Sequence, residues 1–213
     1  MAGGHQTDPP KDMTYLSVIS RDSIRIALLV TTLNDLNVLA ADIQNAYLNA
    51  PTSKKVHTIS GLEFGASNVS RPIKIIHVLY GLKSSGAHWQ DHMAASLRDT
   101  GFVSCKADPD VWMKAAAKLN GDKYWAYVLC YVNDLLIVSH KPQEVMDFLS
   151  SKYTLKGGSV KEPTEYLGNQ VGKWDMHDPL NPGKQCWPMS SDLYVKRVFG
   201  KVEKELGEVH QQL

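Results

Sequence analysis

The chain has 213 residues, 43% of them hydrophobic, which is enough to bury a sizeable core, and no apolar run reaches bilayer-spanning length. Its formal charge of +1, with acids and bases interleaved, gives no sign of the basic surface expected of an autonomous nucleic-acid binder, so any such partner has to be argued from sites. Three scattered cysteines, Cys105, Cys130 and Cys186, suggest neither a disulfide framework nor a zinc site; with no signal-peptide pattern at Met1, an intracellular protein and no membrane partner are expected.

Residues 1–14 are polar, contain Asp8-Pro9-Pro10, and read as a lead-in. Ser20 can cap a helix with Asp22 in its first turn, and Ile24, Ala27, Leu28, Thr31 and Leu36 recur at helical spacing to about Asn37. Val38 to Ile43 reads as a short buried strand ending near Asp42. Turn formers dominate Pro51 to Ser70 around a strand at Val56 to Ile59, and Ile73 to Leu79 is strand-like again.

Ser84 or Ser85 should cap a second helix burying Trp89, Met93 and Leu97, closed by Gly101. Phe102 to Met113 reads as an irregular link ending in a strand. Tyr124 to Val132 and Leu135 to Ser139 are β-rich runs joined by Asn133-Asp134, the best local signal for a hairpin turn. Pro142 suits the first turn of a third helix bearing Val145, Met146, Phe148 and Leu149. Short strands follow at Tyr153–Leu155, Glu165–Leu167 and Gln170–Trp174, and Ser190 or Ser191 opens a last helix with Val195, Val198, Val202 and Leu206 at helical spacing. The pattern predicts an α+β fold with helices on one face of an antiparallel sheet. It divides into the lead-in, a core over 15–175 and a C-terminal helical extension over 176–213.

An Asp at a strand end and another in a hairpin turn can share a divalent metal ion if their strands are neighbours. Phosphoryl transfer to a nucleotide uses such carboxylates to hold two ions about 4 Å apart. Read alone, the Asn-Asp pair is more simply a plain turn and Asp42 a solvated carboxylate.

Asp42-Ile43-Gln44-Asn45-Ala46-Tyr47 resembles the first catalytic motif of copia-type reverse transcriptases. Leu79-Tyr80-Gly81-Leu82-Lys83 with Trp89, Gly101-Phe102 with Asp108-Pro109-Asp110-Val111-Trp112, Tyr131-Val132-Asn133-Asp134 and Tyr166-Leu167-Gly168 are similar to further blocks of that family, in the family's order. The likeness runs from about Gly4 to Lys204.

The resemblance implies a polymerase palm with partial fingers and the start of a thumb or connection region. It implies Asp42, Asp134 and the Ile43 carbonyl as ligands of two Mg²⁺ ions, with Mn²⁺ as substitute. Tyr47 becomes the gate against a 2′-hydroxyl, beside Ala46 and Lys83 near the incoming nucleotide; Tyr131, Tyr80 and Gly81 lie along primer and template. The implied partners are an RNA or DNA template with its primer, dNTPs, and the integrase and RNase H segments of a retrotransposon polyprotein. The implied location is the cytoplasm, in a virus-like particle, or the nucleus.

Asn133 stands where the family carries its first doublet Asp. A unit charge about 4 Å away is worth roughly 4 kcal/mol at an effective dielectric of 20, and about 1.4 kcal/mol is a decade of rate, so losing it removes on the order of three decades. The basic fingers segment and an RNase H segment are also missing from the sequence, and Ser84-Ser85-Gly86-Ala87-His88 replaces the usual Gln, Pro and Arg after Lys83. The expectation is an impaired polymerase. The alternative is a non-catalytic relic or domesticated nucleic-acid- or partner-binding protein; a metal hydrolase using Asp42, Asp108, Asp110 and Asp134 requires those four to converge.

Overall fold

The hydroxyl of Ser20 accepts a 3.0 Å bond from the Ser23 N–H, satisfying one of the free donors at the start of α1, Arg21–Leu33. The computed structural model describes residues 17–210 apart from Asp178 and Asn181, so the lead-in lies outside the described residues. α1 buries Ile24, Ala27, Leu28 and Thr31 and stops short of Asn37, because Asp35 adopts a left-handed conformation (φ 51°) and turns the chain into β1, Asn37–Asp42.

A single turn, α2 (Ala46–Asn49), leads into β2 (Pro51–Ile59), which pairs with β3 (Pro72–His77) as a separate two-stranded sheet. α3 (Ser85–Asp99) buries Trp89, Met93 and Leu97, and ends at Gly101, whose φ of 84° is open to a residue without a Cβ. Next come β4 (Val103–Ser104), β5 (Val111–Ala117), β6 (Lys123–Tyr131), β7 (Asp134–Ser139) and α4 (Pro142–Lys152).

β1 and β4 to β7 form an antiparallel sheet in the order β1-β7-β6-β5-β4. Its helices do not share one face. Trp89, Met93, Leu97, Met146 and Leu149 of α3 and α4 pack with Val128, Leu135 and Ile137, while Ile24 and Leu28 of α1 pack with Leu129, Leu136 and Val138 on the other side. The reason lies in the central strands: Leu135 to Val138 are apolar at every position and all buried, so both faces need cover. The second face is completed by a small sheet of β8 (Glu165–Tyr166), β9 (Asn169–Val171) and β12 (Met189–Ser190), and by Trp187. β10 (Trp174–Asp175) and β11 (Gln185–Cys186) pair beside it.

The hairpin turn sits one residue earlier than expected. Tyr131 pairs with Asp134, so the two turn residues are Val132 and Asn133, and Asp134 opens β7. Val132 has a φ of 56°, a conformation that strains a β-branched residue by about 1–3 kcal/mol. The Trp89 indole N–H donates to the Val132 carbonyl at 2.7 Å and helps to hold it there.

The last helix, α5 (Asp192–His210), leaves its expected apolar stripe in solvent: Val195, Val198, Val202 and Leu206 are all exposed. Arg197 reaches back to Glu165 at 3.3 Å. All three cysteines are free thiols, and no helix among the described residues is long and apolar enough to cross a membrane.

Candidate active site

β1 and β7 pair in a register that sets Asp42 opposite Asp134. Directly paired residues share a face of the sheet, and both carboxylates are partly exposed there. The ladder closes where the Ile43 N–H donates to the Asn133 carbonyl at 2.9 Å. That bond anchors the turn to β1 and brings the Asn133 side chain to Asp42.

Asp42 is held at both oxygens. The Asn133 amide donates to Oδ1 at 2.8 Å, and the Lys156 ammonium lies 3.5 Å from Oδ2. Its backbone is held as well: the Lys156 N–H donates to the Asp42 carbonyl at 2.8 Å, and the Asp42 N–H donates to the Ser159 hydroxyl at 3.1 Å. The segment carrying Lys156 and Ser159 lies along the outer edge of β1, with backbone bonds from Gln44 to Thr154 and in both directions between Ala40 and Lys161. Asp134 has its carboxyl pushed above the usual carboxylate range by burial and by the charge of Asp42, an effect that Lys156 partly offsets. Asp42, Asp134, Lys156, Ser159, Tyr166 and Gly168 help to line an open cleft of about 460 Å³.

A second cluster lies on α2 and the turn after β3. The Tyr47 and Tyr80 rings pack at a tilt of 35° with centroids 4.7 Å apart, and burial, then the neighbouring Tyr80, pushes the Tyr47 phenol above its ordinary value. Ala46 is buried beneath, Gly81 turns the chain with φ 93°, and Lys83 is exposed beyond it. Ile43 is buried, and Tyr131 is half-buried against the α1 side of the sheet.

Asp108 and Asp110 do other work. Burial pushes the Asp108 carboxyl up, but bonds from the Ser23 hydroxyl (2.6 Å), the Ser20 N–H (3.0 Å) and the Asp110 N–H outweigh it and leave it below the usual range. Asp110 accepts from Gln90 at 2.8 Å, and burial keeps its carboxyl high. The four aspartates of the hydrolase alternative therefore do not converge: among the described residues no group of three or more His, Cys, Asp or Glu side chains could hold a metal ion.

Lys156, Ser159 and Trp89 are the residues whose site roles sequence reasoning missed. The Lys156-Gly157-Gly158-Ser159 run was the available signal, as a glycine pair flanked by polar residues marks a turn. Nothing in it indicates that the turn returns to Asp42.

Residues 4–174 match the family model described as reverse transcriptase (RNA-dependent DNA polymerase). Among curated proteins, the chain is 29% identical over 164 residues to the retrovirus-related Pol polyprotein from transposon RE1 of Arabidopsis thaliana, a match covering 73% of this chain and 11% of that protein. It is 26% identical to the corresponding polyprotein from transposon RE2 over the same shares. Against the one from transposon TNT 1-94 of Nicotiana tabacum it is 25% identical over 192 residues, covering 88% of this chain and 14% of the relative. The chain thus spans only a small part of the length of the relatives it matches. Because the family model accounts for most of the chain and the matched relatives are transposon Pol polyproteins, this protein belongs to the copia-type reverse transcriptase (RNA-dependent DNA polymerase) family.

Proposed function

We propose that this chain is the nucleotidyl-transfer core of a copia-type Pol polyprotein, a palm built to add dNTPs to a primer on an RNA or DNA template, impaired in this copy by Asn133. The observation that carries the reading is the in-register pair Asp42 and Asp134, with Asn133 donating its amide to Asp42. The pair supplies two adjacent carboxylates on rigid strands, and the amide stands where a third would complete the set.

As they stand these groups do not fit two divalent ions. Two carboxylates and an amide that donates offer too little negative charge, and the Lys156 ammonium already compensates part of it. They suit one Mg²⁺ or Mn²⁺ at most, held by Asp42 and Asp134 with the Ile43 carbonyl. Tyr47 over Ala46 forms the wall against a sugar 2′-hydroxyl, Lys83 lies toward the nucleotide, and Tyr80, Gly81 and Tyr131 flank primer and template. As part of a polyprotein, the domain works beside integrase and RNase H segments.

Primer extension in Mg²⁺ and Mn²⁺, run beside Asn133→Asp, tests this reading. Extension should be feeble in the native sequence and rise by on the order of a thousandfold in the variant. Equal, robust extension by both, or none by either, overturns it. The engagement of both Asp42 oxygens by Asn133 and Lys156 favours a second reading, a non-catalytic protein that keeps the fold to bind nucleic acid or a partner.

A further inference from the structure

α5 runs for 19 residues from Asp192, and every residue from Tyr194 to Gly207 is exposed. A lone helix of this length is marginal in water and is normally held by packing one of its faces. The side turned to its own domain is the polar one: α5 meets β9, Leu193 is half-buried, and Arg197, one turn on, pairs with Glu165 at 3.3 Å. Val195, Val198, Phe199, Val202 and Leu206 form a stripe about half a turn away from Leu193 and Arg197. The stripe therefore faces away from the domain that carries it.

Charge along α5 is segregated by half. Asp192 to Lys201 holds three bases (Lys196, Arg197, Lys201) against one acid, a net +2; Val202 to His210 holds three acids (Glu203, Glu205, Glu208) against Lys204, a net −2. A second α5 laid antiparallel puts each positive half on a negative half, whereas a parallel one puts like on like. Spacing supplies the register. Val195, Phe199, Val202 and Leu206 follow one another by four, three and four residues, as seam positions of paired helices do. Centring the crossing between Gly200 and Lys201 sets Val195 against Leu206 of the second copy, and Phe199 against Val202 of the second copy. Lys196 then flanks the seam beside Glu203 of the second copy, twice by symmetry. Within the single chain Lys196 pairs with Asp192 at 2.7 Å, an exposed contact that adds little and that Glu203 of the second copy can share.

We infer that the apolar stripe of α5 is a homodimer seam, occupied by α5 of a second copy of this chain in antiparallel register. The inference is independent of whether Asn133 impairs catalysis. One helix pair buries less than the roughly 1,600 Å² of a standard interface, so the association is weak and concentration-dependent. With four bases and four acids, the helix lacks the basic polar face of one drawn to an anionic membrane.

Sedimentation equilibrium of the full chain over a concentration series tests the seam. It compares the native chain with Lys196→Glu, Glu203→Lys, an equimolar mixture of the two, and Lys123→Glu, which alters an exposed lysine of β6. The native chain and Lys123→Glu should dimerise alike. Each seam variant alone meets like charge twice and should dimerise about tenfold more weakly. The mixture restores both pairs between unlike copies and should regain native affinity. Tryptophan fluorescence should stay native throughout, since Trp89 and Trp112 lie buried in a core that these surface changes do not touch. A native chain that stays monomeric overturns the seam, and if it then binds phosphatidylserine vesicles the occupant is a membrane. Dimers indifferent to both reversals, or weakened by them without recovery in the mixture, also overturn the antiparallel pairing.

Discussion

The Asn133 side chain donates to Asp42 Oδ1 at 2.8 Å, so the residue in the hairpin turn acts as a hydrogen-bond donor where an aspartate could only accept. An ionised carboxylate in its place would lose that bond and stand as a third negative group beside Asp42 and Asp134. The Asn133→Asp variant should therefore be less stable in chelator, by about 1–3 kcal/mol, or several degrees in melting temperature. Mn²⁺ should restore it by binding the folded state, while leaving the native melting temperature almost unmoved. A thermal scan with and without Mn²⁺ measures both shifts.

Asp134 holds its proton to higher pH in the folded chain than in the unfolded one, through burial and then Asp42. A raised carboxyl contributes stability at low pH that is lost as pH climbs from the ordinary carboxylate value through the raised one. Asp134→Asn removes this slope. It should stabilise the protein at neutral pH and make no difference below the ordinary carboxylate value. Urea unfolding across that range checks the sign.

Lys156 is largely exposed, so its ion pair with Asp42 adds little stability, on the order of 0.5 kcal/mol. Its electrostatic influence is easier to detect. Lys156→Met should leave the melting temperature within about 2 °C, yet move the Asp134 carboxyl further upward, because the lysine charge is what holds it down. Side-chain carboxyl NMR titration reads that movement directly.

Trp89→Phe removes the donor to the Val132 carbonyl while keeping an aromatic ring in the core. With a smaller ring and a carbonyl left unpaired, it should cost about 2–4 kcal/mol in denaturant unfolding. Amide exchange should accelerate at Asn133 and Asp134 more than in β5, since the turn loses its brace.

Local signals were the legible part of this chain. Ser20, Gly101 and Pro142 each act through their own backbone neighbourhood, and each sits where its chemistry suggested. The hairpin was legible but its register slipped by one, because a left-handed Val132 is locally unfavourable and is held by Trp89, a residue of another element. The covering of both sheet faces was legible in the unbroken apolar run from Leu135 to Val138, which a one-faced sheet does not require. The meeting of Asp42 with Asn133 and Asp134 followed from the family resemblance, not from spacing. Lys156 escaped even that, since it reaches Asp42 through a segment paired to the outer edge of β1. The α5 stripe shows helical periodicity without the burial that usually accompanies it.

The segment from Thr154 to Lys161 occupies the backbone groups on the outer edge of the strand that carries Asp42. It serves as a selvedge for the sheet: without it, β1 would present unpaired N–H and C=O groups to any extended chain nearby. Gly157 and Gly158 lie midway along it, so a protease cut between them would leave the core packed but the edge able to unravel. The first consequence of such a nick should be self-association through β1, ahead of any loss of helix.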